Sequence, residues 1–270
     1  MAKPPAKNED YDDLFRACAE RKLEKVKQLM TSRTFDIEKR NIKDETLLLV
    51  ATMRDHVDVM QFLLENGADI EGKCTNYQQT PLLAAAYFSN LQTFQFLESR
   101  GANIDAVDNM NGDAFMRAVD SSNLELMKYL VSTGKFNLER RNSNGKTPWI
   151  KAAAKTSIEV KKYLVELGAN IHATDKYNLG AMTLAARRSD VANCKYLLEI
   201  GVSHKVLSYD RETPLHHACY CNNLDTARFL LENGLVDVNA KTKRGLTALD
   251  IAWRKHNTDL KTLLLRFGAK

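Results

Sequence analysis

No stretch of this sequence stays apolar for long. The run from Thr46 to Ala51 is among the longest, far short of the roughly 18 residues a membrane-spanning helix needs. No transmembrane segment is therefore expected. The first residues, with Lys3, Pro4, Pro5 and Lys7, contain no apolar core, so no secretory signal is expected either. The cysteines number 5, an odd count without regular spacing. That argues against a disulfide framework and for free thiols in a reducing compartment, the cytosol or the nucleus. No Asn-x-Ser/Thr sequon is present. Neither sign of charge dominates, since 39 basic and 34 acidic residues leave +5. Such a balance does not by itself imply a nucleic-acid partner.

What the sequence does have is a period. The six-residue slot that reads Thr-Pro-Leu-His-His-Ala at Thr213–Ala218 returns at Thr46, Thr80, Asp113, Thr147, Gly180 and Thr247, with a degenerate copy at Asp12. The steps are 34, 34, 33, 34, 33, 33 and 34 residues. A second ladder keeps the same beat: Gly67, Gly101, Gly134, Gly168, Gly201, Gly234 and Gly268. Two ladders in register along 270 residues define eight units.

Each unit carries the marks of two helices. In Thr213-Pro214 the hydroxyl suits an N-cap and the proline suits the first helical position. The first helix is short and alanine-rich, as at Ala84–Ala86 and Ala152–Ala154. After a break such as Arg54–His56, the second helix repeats apolar residues at helical spacing (Val57, Met60, Leu63, Leu64) and stops at a glycine suited to a left-handed cap. A single unit buries too little surface to fold alone, so the units must stack, each touching its neighbours. The units at Asp113 and Gly180 lack Thr-Pro, and weaker capping is expected there.

A period of about 33 residues, the Thr-Pro-Leu-His-x-Ala start and a Gly-Ala-Asp/Asn-Ile tail resemble the ankyrin repeat. The resemblance covers about residues 8–270. It implies an all-α fold, an ankyrin-repeat solenoid of about eight stacked helix-turn-helix units with β-turn or hairpin loops. Residues 1–8 are expected as a disordered tail and 9–270 as a single repeat domain. His216 occupies the histidine of the family motif, which supports the turns by hydrogen bonding.

Catalytic signals are missing. There is no nucleophile elbow, no His-Glu-x-x-His and no glycine-rich dinucleotide turn. Gly145-Lys146-Thr147 looks like the end of a phosphate loop, but Arg140 stands where that loop needs a glycine and the segment falls in a repeat turn. His216, His217, Cys219 and Cys221 form the densest group of possible metal ligands. A helix places His217 and Cys221 on one face, whereas zinc usually takes four ligands, so core packing plus one surface thiol is the expectation. Trp149 and Trp253 fall at core-facing slots and are expected to pack. Thus no catalytic, cofactor or metal residue is nominated, and the chain is expected not to be an enzyme.

The resemblance also implies a partner-binding concave face, made by hairpin tips and first helices. With the Thr slot counted as six, slots two, three, five, thirteen and fourteen point there. Across the units from Thr46 to Thr247 these slots hold eleven basic residues, among them Arg54, Lys155, Arg187, Arg188, Arg254 and Lys255, against the acids Glu45, Asp120, Asp210 and Glu212. The basic excess falls in the last four units. Six aromatics share the face: Tyr77, Tyr87, Phe88, Tyr177, Tyr209 and Tyr220. Tyrosine and arginine anchor interfaces. The expectation is a monomeric scaffold that binds the acidic and apolar segment of a protein partner. The alternatives are a polyanion such as RNA, a nucleotide or an anionic lipid, and the repeat portion of a larger enzyme, channel or effector.

Overall fold

The computed structural model describes residues 3–88, 90–154 and 157–270. Within them are sixteen helices and no strand, with isolated bridges at Pro5–Thr34 and Thr174–Gly180. The helices fall into two compact units, Met1–Asn137 and Leu138–Lys270, each built of four helix pairs.

The first unit contains α1 (Asn8–Ala19), α2 (Leu23–Ser32), α3 (Leu47–Thr52), α4 (Val57–Glu65), α5 (Pro81–Phe88), α6 (Leu91–Ser99), α7 (Ala114–Ser121) and α8 (Leu124–Ser132). The second contains α9 (Pro148–Ala153), α10 (Ile158–Glu166), α11 (Ala181–Ala186), α12 (Val191–Glu199), α13 (Pro214–Tyr220), α14 (Leu224–Glu232), α15 (Ala248–Arg254) and α16 (Thr258–Arg266). Within each unit a first helix packs on its own second helix and on the first helices before and after it. The alanines make this close approach possible. Ala17, Ala51, Ala85, Ala118, Ala152, Ala185, Ala218 and Ala252, all at slot eleven, are buried.

Both sequence ladders have a local cause. The seven periodic glycines all take positive φ, from 62° to 92°, in the left-handed turn that ends each second helix. The threonine slot caps each first helix: Thr46, Thr80, Thr147, Thr213 and Thr247 accept a backbone N–H three residues on. The expected weak capping holds at Gly180, which has no side chain to offer. It does not hold at Asp113, whose carboxylate accepts from Met116 N at 2.8 Å. Aspartate is as good an N-cap as threonine. His216 bonds Thr213 through Nδ1 and reaches Leu246 O with Nε2 at 3.2 Å, tying its helix to the next hairpin.

Residues ahead of α1 lie along the first pair. Ala6 N donates to Thr34 O and Thr34 N to Pro4 O. The two tryptophans differ. Trp149 is fully buried and its indole N–H donates to Ile171 O at 3.0 Å. Trp253 is 58% exposed, which corrects the expectation of packing. Its slot is core only where a further helix pair lies over it, as over Ala153, Ala186 and Cys219. No pair within these residues covers α15, and Lys261 Nζ instead sits 4.0 Å above the Trp253 ring.

One buried residue breaks the apolar pattern. Lys161 on α10 is fully buried in a slot held by Val26, Met60, Phe94, Met127, Cys194 and Ala227 in six other units and by the half-buried Lys261 in the last. Its Nζ donates to Asn193 Oδ1 at 2.6 Å, and Asn193 Nδ2 donates to Ala153 O at 3.0 Å. Burial holds the amine below the ordinary lysine range.

Candidate partner-binding face

The hairpins that carry the face are set by two local devices. Slot four takes positive φ in every hairpin from Asp44 to Gly245. Gly145 is one of these, at φ 70°, and a Cβ there would meet Lys176 N at 2.7 Å. The Gly145-Lys146-Thr147 segment is therefore a repeat turn. Backbone bonds then tie successive tips: Asn109 N to Tyr77 O, Lys176 N to Asn144 O, Tyr209 N to Tyr177 O and Lys243 N to Asp210 O. These bonds hold the tip residues Tyr77, Tyr177 and Tyr209 in rows while their side chains remain exposed.

In the first unit Tyr87 and Phe88 end α5, 37% and 50% exposed, in edge contact with ring centroids 4.6 Å apart. Phe88 and Arg54 meet at one groove of about 530 Å³. Tyr77 and Tyr87 lie outside it. The groove also takes in Ile42, a hairpin-tip residue with its whole side chain in solvent, together with residues of α1. The slot reading passed over Ile42 because it counted aromatic and charged side chains alone, and it began one unit too late to include α1.

In the second unit Tyr220, Arg254 and Lys255 line a second groove of about 530 Å³, joined by Arg244 from the hairpin tip. Tyr220 is half-buried; burial first, then Glu212, pushes its phenol up. Glu212 also lies 3.1 Å from His217 Nε2, and burial pushes that imidazole down, toward its neutral form. Arg187 and Arg188 are exposed at the end of α11, outside the groove. Lys155 lies outside the described residues.

The face is more basic outward than its slots suggest. Slot five sits behind the tips, so Glu45 and Glu212 are half-buried and engaged, Glu45 by Asn41 Nδ2 at 2.8 Å. Asp120 is held by Arg117 at 3.4 Å. Lys43, Arg54, Arg244, Arg254 and Lys255 have no carboxylate partner among the described residues.

The described residues contain no group of three or more His, Cys, Asp or Glu fit to hold a metal. Cys219 is buried, with its thiol pushed up to about 12, and Cys221 is exposed. No helix among the described residues is long and apolar enough to cross a membrane.

Comparison with known proteins agrees with this geometry. The model for ankyrin repeats matches in three copies, at residues 14–108, 100–175 and 182–270. A putative ankyrin repeat protein of fowlpox virus is 30% identical over 209 residues, 74% of this chain and 57% of its own length. A phosphocholine transferase of Legionella pneumophila is 26% identical over 254 residues, 84% of this chain and 26% of that enzyme. Alpha-latrocrustotoxin-Lt1a of Latrodectus tredecimguttatus is 30% identical over 149 residues, 54% of this chain and 10% of the toxin. The chain thus spans about a tenth to a quarter of these two longer relatives.

Proposed function

Because the chain belongs to the ankyrin-repeat family, whose repeats form protein-interaction domains, we propose that it is a non-enzymatic scaffold. In this reading it binds the acidic and apolar segment of a protein partner on the side formed by its hairpin tips and first helices. The exposed Tyr87–Phe88 pair carries the reading. Two rings in edge contact at a helix end present a large apolar area to water, and aromatic anchors supply most of the binding energy where such faces are used. Backbone-tied tips support it, since a preorganised surface loses little freedom on binding. The match to a transferase fits the same role, with the repeats as the binding part of a larger protein. The reading places the chain in the cytoplasm or nucleus as a monomer.

Replacing Tyr87 and Phe88 together by Ala is expected to weaken a partner protein by about 2–4 kcal/mol while leaving the melting temperature unchanged. Calorimetric titration and thermal melting check the two halves. A partner that binds the double variant as tightly as the wild type rejects the aromatic anchor.

A polyanion reading draws on the second unit, where Tyr177 and Tyr209 are exposed beside cations and Lys176 Nζ lies 5.2 Å from the Tyr177 ring centroid. Such a ligand needs the basic side chains and has no use for Tyr87 and Phe88. For an acidic protein partner, Arg187→Glu with Arg188→Glu is expected to lower the association rate roughly tenfold at low salt. The difference should shrink as ionic strength rises and the screening length falls to about 8 Å. Stopped-flow association over a salt series measures this; a salt-independent rate counts against electrostatic steering.

A further inference from the structure

We infer that the groove of the first unit is a pocket for a short linear segment whose bulky apolar residue is flanked by carboxylates. This rests on the scaffold reading and narrows it, bringing apolar and acidic recognition to one place.

The floor is apolar. Phe15 from α1 and Val50 from α3 both line it, 8% and 7% exposed, with half-buried Met53 at the end of α3. Two walls are apolar and exposed: Phe88 from α5, and Ile42 from the hairpin tip, at 101% exposure. A fully exposed isoleucine at a turn tip loses nothing structural if replaced, yet it stands at the mouth of the groove. Covering Ile42 and Phe88 while filling the floor removes a continuous apolar surface from water.

Cations surround that floor from three separate elements. Arg16 comes from the last turn of α1, Lys43 from the hairpin tip beside Ile42, and Arg54 from just beyond α3. Lys43 and Arg54 have no carboxylate partner among the described residues. Arg16 has only a loose contact, 3.6 Å from Asp13, with both side chains well exposed, and such pairs contribute little. The one acid at the groove, Glu45, is already bonded by Asn41. The groove therefore presents a net positive rim around an apolar floor. A basic or purely polar segment fits neither part, and a bare phosphate leaves the floor uncovered. At about 530 Å³ the groove has the size of a small-ligand pocket, enough for one large side chain and its neighbours.

The test pans a random dodecapeptide display library against the full 270-residue chain. The enriched sequences are expected to carry Leu, Ile or Phe with Asp or Glu within two positions on either side. A labelled synthetic peptide of the enriched sequence is then measured by fluorescence polarisation. Ile42→Asp, and separately Lys43→Glu with Arg54→Glu, should each weaken it about tenfold or more. Lys128→Glu with Lys195→Glu, on the second helices α8 and α12 away from this face, should change it less than about twofold. All these side chains are exposed, and circular dichroism melting confirms that the variants stay folded. Enrichment without acidic residues, no enrichment at all, or full affinity for Ile42→Asp overturns the pocket. If the peptide is lost on Arg187→Glu with Arg188→Glu but kept on Ile42→Asp, the pocket falls and the scaffold reading stands.

Discussion

Replacing Asn193 by Leu is expected to destabilise the second unit by about 3 kcal/mol, the cost of leaving a buried ammonium without its hydrogen-bond acceptor. Asn193 Oδ1 is the acceptor that holds Lys161 Nζ, and both side chains are out of water. The double variant Lys161→Met with Asn193→Leu should recover at least wild-type stability, because buried polar pairs are often replaced by apolar residues without loss. Urea unfolding of the two single variants and the double variant, treated as a cycle, measures the coupling. A near-zero coupling energy rejects the pairing.

The pH dependence has a definite sign. Burial lowers the Lys161 value in the folded protein, while the unfolded chain keeps the ordinary value of about 10.4. Between the two, the unfolded state binds more protons, so stability rises with pH. Below both, the penalty for burying the ammonium is fully present. The wild type should therefore gain on the double variant as pH climbs toward about 10. The double variant, having no amine there, should lack this gain.

Trp149→Ala should cost about 3–5 kcal/mol, the range for emptying a large aromatic from a closed core. The indole is fully buried, and its N–H bond to Ile171 O fastens α9 to the loop after α10. Removing it empties a cavity and orphans a carbonyl. Since helix pairs touch only their neighbours, the damage should stay local. Hydrogen exchange should rise in α9–α12 well beyond any change in α1–α4. Equal protection throughout would show that the core does not depend on this side chain. Trp253→Ala, at the same composition cost, should scarcely register.

The contrast between these two tryptophans shows what a sequence of repeats discloses. Caps, glycine turns and alanine contacts are local, so Thr213, Gly67 and Ala85 announce their roles by type and position. Burial at slot twelve depends on a neighbouring pair, which the residue itself does not encode, and so Trp253 was misplaced. The Tyr87–Phe88 pair was legible because two large aromatics end a first helix that is otherwise short and alanine-rich. The groove beside it was not, because it assembles Phe15 from one unit with Ile42 and Met53 from the next, and aliphatic tips look like core residues in a one-dimensional pattern. Lys161 gave a signal, a lysine in a slot that is apolar in every other unit but the last, which has Lys261. Finding its partner required the neighbouring helix, since Asn193 lies 32 residues away in sequence.

The ties between hairpin tips bear on how such a protein changes over generations. Asn109 N to Tyr77 O, Tyr209 N to Tyr177 O and Lys243 N to Asp210 O are bonds of the backbone alone. They ask nothing of the side chains at those positions. A tip residue can therefore mutate without loosening the row it stands in, and new specificities can be sampled while the fold is inherited intact. Drift should accordingly be fastest at slots two and three and slowest at the capping threonines and the closing glycines, so that descendants of one scaffold diverge first in whom they meet.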